Sequence, residues 1–333
     1  MPSVTRNMAG QAVSSNLSFG SRRPAKMTSV NAIWRNVFAA PSGVAGYFAG
    51  GDTGANTSGV DKITFSTDAK STLSATLTTA RQSPSGVGNA GVAGYAAGGH
   101  DGGYLNGIDK IAFPADSKTT LAATLSTPRN GSAGMANSGT AGYVAGGFNA
   151  SAYVNSIDKI TFSSDAVGAI AAVLVATKNE LAGFANSGTA GYFAGGFNGT
   201  AFNSIDKITF SSEAKTTLAA VLSGIRRNVS GFANSGTAGY TAGGNDGAVV
   251  NGMDKITFAT DAKSTLSAVL PTARHITSSM ADLNAGYIGG GNDGGHLSAI
   301  IKIAFPDDTM TTLSATLTSA RGFMAGFADA VVA

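Results

Sequence analysis

The phrase Ala-Gly-Tyr followed by a double glycine recurs along this chain with its tyrosine at Tyr47, Tyr95, Tyr143, Tyr192, Tyr240 and Tyr287. The spacings are 48, 48, 49, 48 and 47 residues. A period held through six copies means units that cannot bury their apolar faces alone and that complete a core by packing on neighbours. The fold must therefore be an array of six similar pieces, and the question becomes what one piece is.

In the unit spanning 187–234, the segments GTAGYFAGG, SIDKITFSS, TTLAAVLS and NVSGFANS are strand-sized and separated by Gly, Asn and Ser. Ile205, Ile208 and Phe210, and again Leu218, Ala220 and Leu222, alternate at a period near two, which suits half-buried strands, and no helical period competes. Four short strands per unit match the blade of a β-propeller, whose radial closure removes the open edges of a sheet. The sequence thus predicts an all-β, six-bladed propeller over residues 43–333, preceded by an extended N-terminal arm, residues 1–42.

The double glycines, from Gly50-Gly51 to Gly290-Gly291, resemble the di-glycine element of kelch repeats, which share a period of about 50 residues. A kelch unit also carries a tryptophan late in the blade, whereas Trp34 stands alone and outside the repeats, so the chain is kelch-like. The resemblance implies that the glycine phrase is the second strand, IDKITF the third, the TLAAVL type the outer fourth, and GFANS the innermost strand of the following blade. The first blade then lacks an inner strand. Residues 321–330 match GFANS and supply it by C-terminal closure; residues 35–40 are the rival, with a different spacing and Pro41.

Ionisable residues sort into columns that repeat with the blades. One acid column is Asp61, Asp109, Asp158, Asp206 and Asp254, broken by Ile301, beside a lysine column, Lys62 to Lys302. A second acid column is Asp68, Asp116, Asp165, Glu213, Asp261 and Asp308; a basic one is Arg81, Arg129, Lys178, Arg226, Arg274 and Arg321. A catalytic site needs a unique convergence, whereas a group present in every blade reads as a turn or a cross-strand or inter-blade link. The basic column, just ahead of the inner strand, is expected to bond neighbouring backbone or the aspartates.

What the repeats leave over is informative. Residues 1–51 hold five of the 22 basic residues and none of the 19 acids, so that segment is +5 and the remainder −2 of the chain's net +3. Arg22, Arg23, Lys26, Trp34 and Arg35 mark the arm as a basic, partly apolar anchor for other assembly proteins. The loops after the double glycines change chemistry while the frame stays constant, as when a rigid scaffold presents recognition loops on one face. Their candidates are His100, Asp101, Tyr104, Phe148, Tyr153, Phe197, Phe202, Asn245, Asp246, Asn292, Asp293 and His296, whose rings and polar groups suit sugar stacking or a protein interface.

Reaction chemistry finds little to work with: no Cys, three His, and no HExxH, GxSxG, CxxC or P-loop pattern. No catalytic residue, metal or cofactor is expected, and neither is nucleic acid. With 12% charged residues, 43% hydrophobic ones and only short apolar runs, the chain reads as soluble, not membrane-inserted, with no secretory signal in view. Low charge, Gly/Ala/Ser/Thr richness, tandem units and absent cysteines resemble in style a bacteriophage structural protein. That implies a virion location, as a tail, fibre, baseplate or capsid-decorating component in a homo-oligomer or larger assembly, recognising a host-surface glycan or protein. The alternative is a cytoplasmic kelch-like module binding protein or glycan; a propeller enzyme is the third reading.

Overall fold

Each unit forms a four-stranded antiparallel sheet, and the computed structural model, which describes residues 44–330, arranges six such sheets as the blades of a propeller. The arm residues 1–42, and the rival segment 35–40 within them, lie outside the described residues. In the fourth blade the strands run outward as Ala182–Asn186, Ala190–Ala194, Ile205–Thr209 and Ala214–Thr217. The second strand is buried along its whole length because both its faces meet other blades.

Closure of the ring falls to the C-terminal segment. Ala325–Asp329 pairs with Ala45–Ala49 and places Phe327 opposite Tyr47, the register in which Phe184 stands opposite Tyr192. The first blade is thus built from both ends of the propeller, which leaves no inner edge unpaired.

One strand departs from the expected assignment. The outer strand starts directly after the acid of the second column, so Lys215 and Thr217, and not the leucines that follow, pair with Ile208 and Asp206. The cause is a tight turn: Glu213 and its five counterparts adopt φ of 55–57°, a left-handed conformation that Asp tolerates well. Regular pairing continues into the leucine segment only in the third and sixth blades, Ala166–Val173 and Thr309–Thr316. Elsewhere Leu222 and its equivalents alternate because they fold inward over the core; Leu222 is 2% exposed.

The blades are joined by one clip used six times. Each repeat tyrosine is at most 1% exposed, and its ring stacks on the phenylalanine that directly follows the third strand of the next blade, with centroids 5.0–5.4 Å apart. Its hydroxyl donates to the second-column acid of that blade at 2.7–3.2 Å, as Tyr192 does to Asp261. A lysine from the tyrosine's own blade reaches the same carboxylate at 2.5–2.8 Å. The clip between last and first blades, Tyr287 and Lys302 on Asp68, matches the other five. At all six phenols burial comes first, and the neighbouring carboxylate second, among the causes that push the pKa upward, and at Tyr143 the value reaches about 12.

The basic column carries the other inter-blade link, as expected. Arg81, Arg129, Lys178, Arg226 and Arg321 pair with Asp109, Asp158, Asp206, Asp254 and Asp61 at 2.6–3.5 Å, all with side chains at most 4% exposed. These aspartates also accept hydrogen bonds from the residue after the inward-folded leucine, as Asp61 does from Thr318. At Asp61 and Asp109 burial would raise the pKa, but hydrogen bonds and the arginine outweigh it and hold the carboxyl below its usual range. In the sixth blade Ile301 replaces the aspartate, and buried Arg274 bonds the Gly290 carbonyl at 3.2 Å instead.

Glycine is required in two places. The double glycines have φ of 63–70° and 103–114°, and the second N–H of each pair donates to the carbonyl of the basic-column residue at 2.8–3.0 Å. On the axis, Gly86, Gly134, Gly183, Gly231 and Gly326 sit against the backbone of the preceding inner strand, where a Cβ would overlap a carbonyl. The sixth position is Ser279, whose hydroxyl donates to the Gly231 carbonyl at 2.8 Å. Small residues at the crowded centre are what six converging strands demand.

Candidate functional site at the channel mouth

The loops after the double glycines are short hairpins. Each is tied twice by backbone bridges, once across its own base (Phe148 to Tyr153) and once to the residue after the basic column, as in Gln82 to His100, Asn130 to Phe148, Asn179 to Phe197, Arg227 to Asn245, His275 to Asn292 and Gly322 to Asp52. All six therefore stand on one face, around the end of the channel where the inner strands begin.

That face is not uniform. On the second to fourth blades the rings form an unbroken arc: His100 to Tyr104 at 5.1 Å, Tyr104 to Phe148 at 5.7 Å, Phe148 to Tyr153 at 5.0 Å and Tyr153 to Phe197 at 6.2 Å. The arc ends under Arg227, whose guanidinium lies 4.6 Å from the Phe197 ring centroid. Phe202 sits apart from it, beneath the buried ammonium of Lys178 at 5.6 Å. These aromatics are half-buried, so each keeps some surface for a ligand.

The remaining blades carry Asn245, Asp246, Asn292, Asp293 and His296. Much of their polarity shapes their own turns: the Asn245 and Asn292 side-chain oxygens accept from Gly247 and Gly294 N–H at 3.0 and 2.9 Å, and Asp246 from Ala248 at 3.2 Å. Asp101 does the same for Gly103 at 3.1 Å. Asp293 is exposed and His296 half-buried. Among the described residues no group of three or more His, Asp or Glu comes together that could hold a metal.

Inside the loops the structure shows what the sequence reading missed. Ser83, Gly131, Glu180, Asn228, Ile276 and Phe323 all have φ of 51–62°, and each donates its N–H to the carbonyl of its counterpart in the preceding blade at 2.7–3.2 Å. The six bonds run once around the axis as a closed collar. Around this collar lies a cavity of about 240 Å³, lined by Gln82, Asn130, Asn179 and Glu180 among others.

Two groups in it are unusual. The Asn179 side-chain oxygen is buried and has no hydrogen-bond partner among the described residues, a state that costs about 1–3 kcal/mol. Glu180 is the one acid among the lining residues, its side chain 21% exposed, accepting from the Asn228 amide at 2.9 Å with Arg227 at 3.9 Å. Burial pushes its pKa up, against the opposing pull of Arg227 and Asn228. One signal pointed here: the two positions after the basic column read Gln-Ser, Asn-Gly, Asn-Glu, Arg-Asn, His-Ile and Gly-Phe, breaking the repeat in every blade.

No protein-family model matches this chain, and no curated protein matches it.

Proposed function

We propose that this chain is a non-enzymatic structural component of a virion, a tail, fibre, baseplate or capsid-decorating protein, anchored through its N-terminal arm and displaying the propeller for recognition of a surface. The observation that carries this reading is the division of labour in the ring. The tyrosine clip recurs at all six blade junctions. The loops on one face share their bridges and, in most blades, a side-chain turn, while their remaining side chains vary from blade to blade. A frame held constant beneath divergent loops is how a rigid scaffold presents a binding surface. Among the described residues lining the cavity Glu180 is the one acid, so the lining pairs no two carboxylates for acid–base work, which favours binding over catalysis. The anchoring half rests on the charge split and on apolar Ile33, Trp34, Val37 and Phe38, which need a covering surface.

The test is incorporation. A chain of residues 43–333 should fold as a ring yet fail to co-sediment with its assembly, whereas the full chain joins it. Its attachment should weaken with added salt while retaining a salt-resistant part from the apolar residues. Normal incorporation of the shortened chain rejects anchoring by the arm. Recovery of a cytosolic partner with no particle association would support the cellular binding module instead.

A further inference from the structure

Two features converge on the same sector of the ring. The aromatic arc spans the second to fourth blades, from His100 to Phe197. The residues bridged to the loops of those blades are Gln82, Asn130 and Asn179, three carboxamides at equivalent positions, all lining the cavity. In the other three blades the equivalent positions are Arg227, His275 and Gly322. Aromatic surface outside and amide groups inside are thus separated by one backbone bridge, and both stop at the same blade boundary.

From this placement we infer that the mouth of the channel is a binding site for the terminal residue of a neutral oligosaccharide, with the sugar's hydroxyls on Gln82, Asn130, Asn179 and Glu180 and the following residues lying along the arc of Tyr104, Phe148, Tyr153 and Phe197. This deepens the recognition half of the proposed function and rests on it. The chemistry selects the ligand class. A sugar ring has an apolar face for aromatic contact and hydroxyls that both donate and accept, matching carboxamides, which do both. An anionic ligand finds no lysine or arginine among the described lining residues, and nearby Arg227 lies beside Glu180 and stacks on Phe197 while Lys178 is paired with Asp206. The cavity, about 240 Å³, is smaller than the roughly 300–1,000 Å³ typical of drug-sized sites, so it takes one sugar unit and leaves the rest of the chain to the loops.

The experiment is a glycan microarray probed with the full chain, followed by titration of the best neutral oligosaccharide against wild type, Asn179→Ala, Asn130→Ala/Asn179→Ala, Tyr153→Ala and, from the fifth-blade loop outside the arc, Val249→Ala. Thermal melts of each variant establish that the ring is intact. The expected result is a neutral glycan whose affinity falls at least tenfold in the double amide variant and severalfold in Tyr153→Ala, with Val249→Ala unchanged. Binding of acidic glycans only, no glycan binding at all, or affinity unaffected by the amide and tyrosine substitutions in folded protein would each overturn the inference. Host-cell binding separates this from failure of the recognition reading itself: cell binding that survives the amide substitutions sinks only the site, whereas no cell binding by wild type sinks both.

Discussion

Replacing Tyr192 by phenylalanine and by alanine separates the two parts of the clip. The ring is 1% exposed and lies between Phe184 and Phe258, with both centroids at 5.3 Å. The hydroxyl gives Asp261 a 2.8 Å hydrogen bond, and Lys207 reaches the other oxygen at 2.7 Å. A hydrogen bond to a charged acceptor contributes about 1.5–3 kcal/mol. Asp261 is 27% exposed and keeps its lysine, so water replaces part of the loss and Tyr192→Phe should cost about 1.5 kcal/mol, the lower end. Tyr192→Ala also removes the ring, and buried aromatic truncations cost about 3–5 kcal/mol, which brings the expected total to about 5 kcal/mol. Urea denaturation followed by circular dichroism reads both: the midpoint should fall in that order, with the slope unchanged. In a double-mutant cycle with Asp261→Asn, the phenylalanine and asparagine substitutions should couple by about 1 kcal/mol. A loss under about 1 kcal/mol for Tyr192→Ala would mean that the tyrosines do not hold the blades together, and the account of the core would fail.

Removing residues 321–333 takes away both Arg321 and the closing strand, so the first and last blades should separate and the protein aggregate; a monodisperse product with an unchanged melt contradicts closure. Alkali should unfold the ring steeply. The unfolded phenols ionise at their ordinary value of 10.0, while the six buried ones keep their protons. Stability is therefore present below pH 10 and falls as pH rises above it, by about 1.4 kcal/mol per tyrosine in the first unit. Melts at pH 8 and 11 check this, and equal stability at both refutes it. Glu180 follows the same sign at lower pH: its raised pKa favours the protonated form in the fold, so its contribution falls as pH rises above the unfolded value of 4.5, Glu180→Gln should hold or raise stability at pH 7, and a clear loss would count against its desolvation.

The parts of this fold legible from sequence are those that every blade repeats. Tyr192 stands out because it is the one large group among glycines and alanines, and its column fixed the blade count. Residues 325–329 were recognisable as an inner strand because Gly326 and Phe327 copy Gly183 and Phe184. The outer strand was expected a few residues too far along the chain in four blades because Leu218 and Leu222 alternate like a strand while serving as a lid, and a left-handed acid such as Glu213 looks like any other polar residue until the turn is seen. The cavity was invisible for a different reason. Gln82, Asn130 and Asn179 lie 48 or 49 residues apart and meet only because the ring closes, and nothing in the local pattern marks an amide oxygen as unpartnered.

The central claim, that a rigid ring is held in a larger particle with one face presented outward, is most directly tested by electron cryo-microscopy of that particle purified from its native source. The account predicts propeller-shaped density at the particle surface, with the arm directed into the body and the loops carrying Tyr104, Phe148 and Phe202 facing solvent. A ring whose loop face is buried against the particle, or particles that contain no propeller at all, would contradict it.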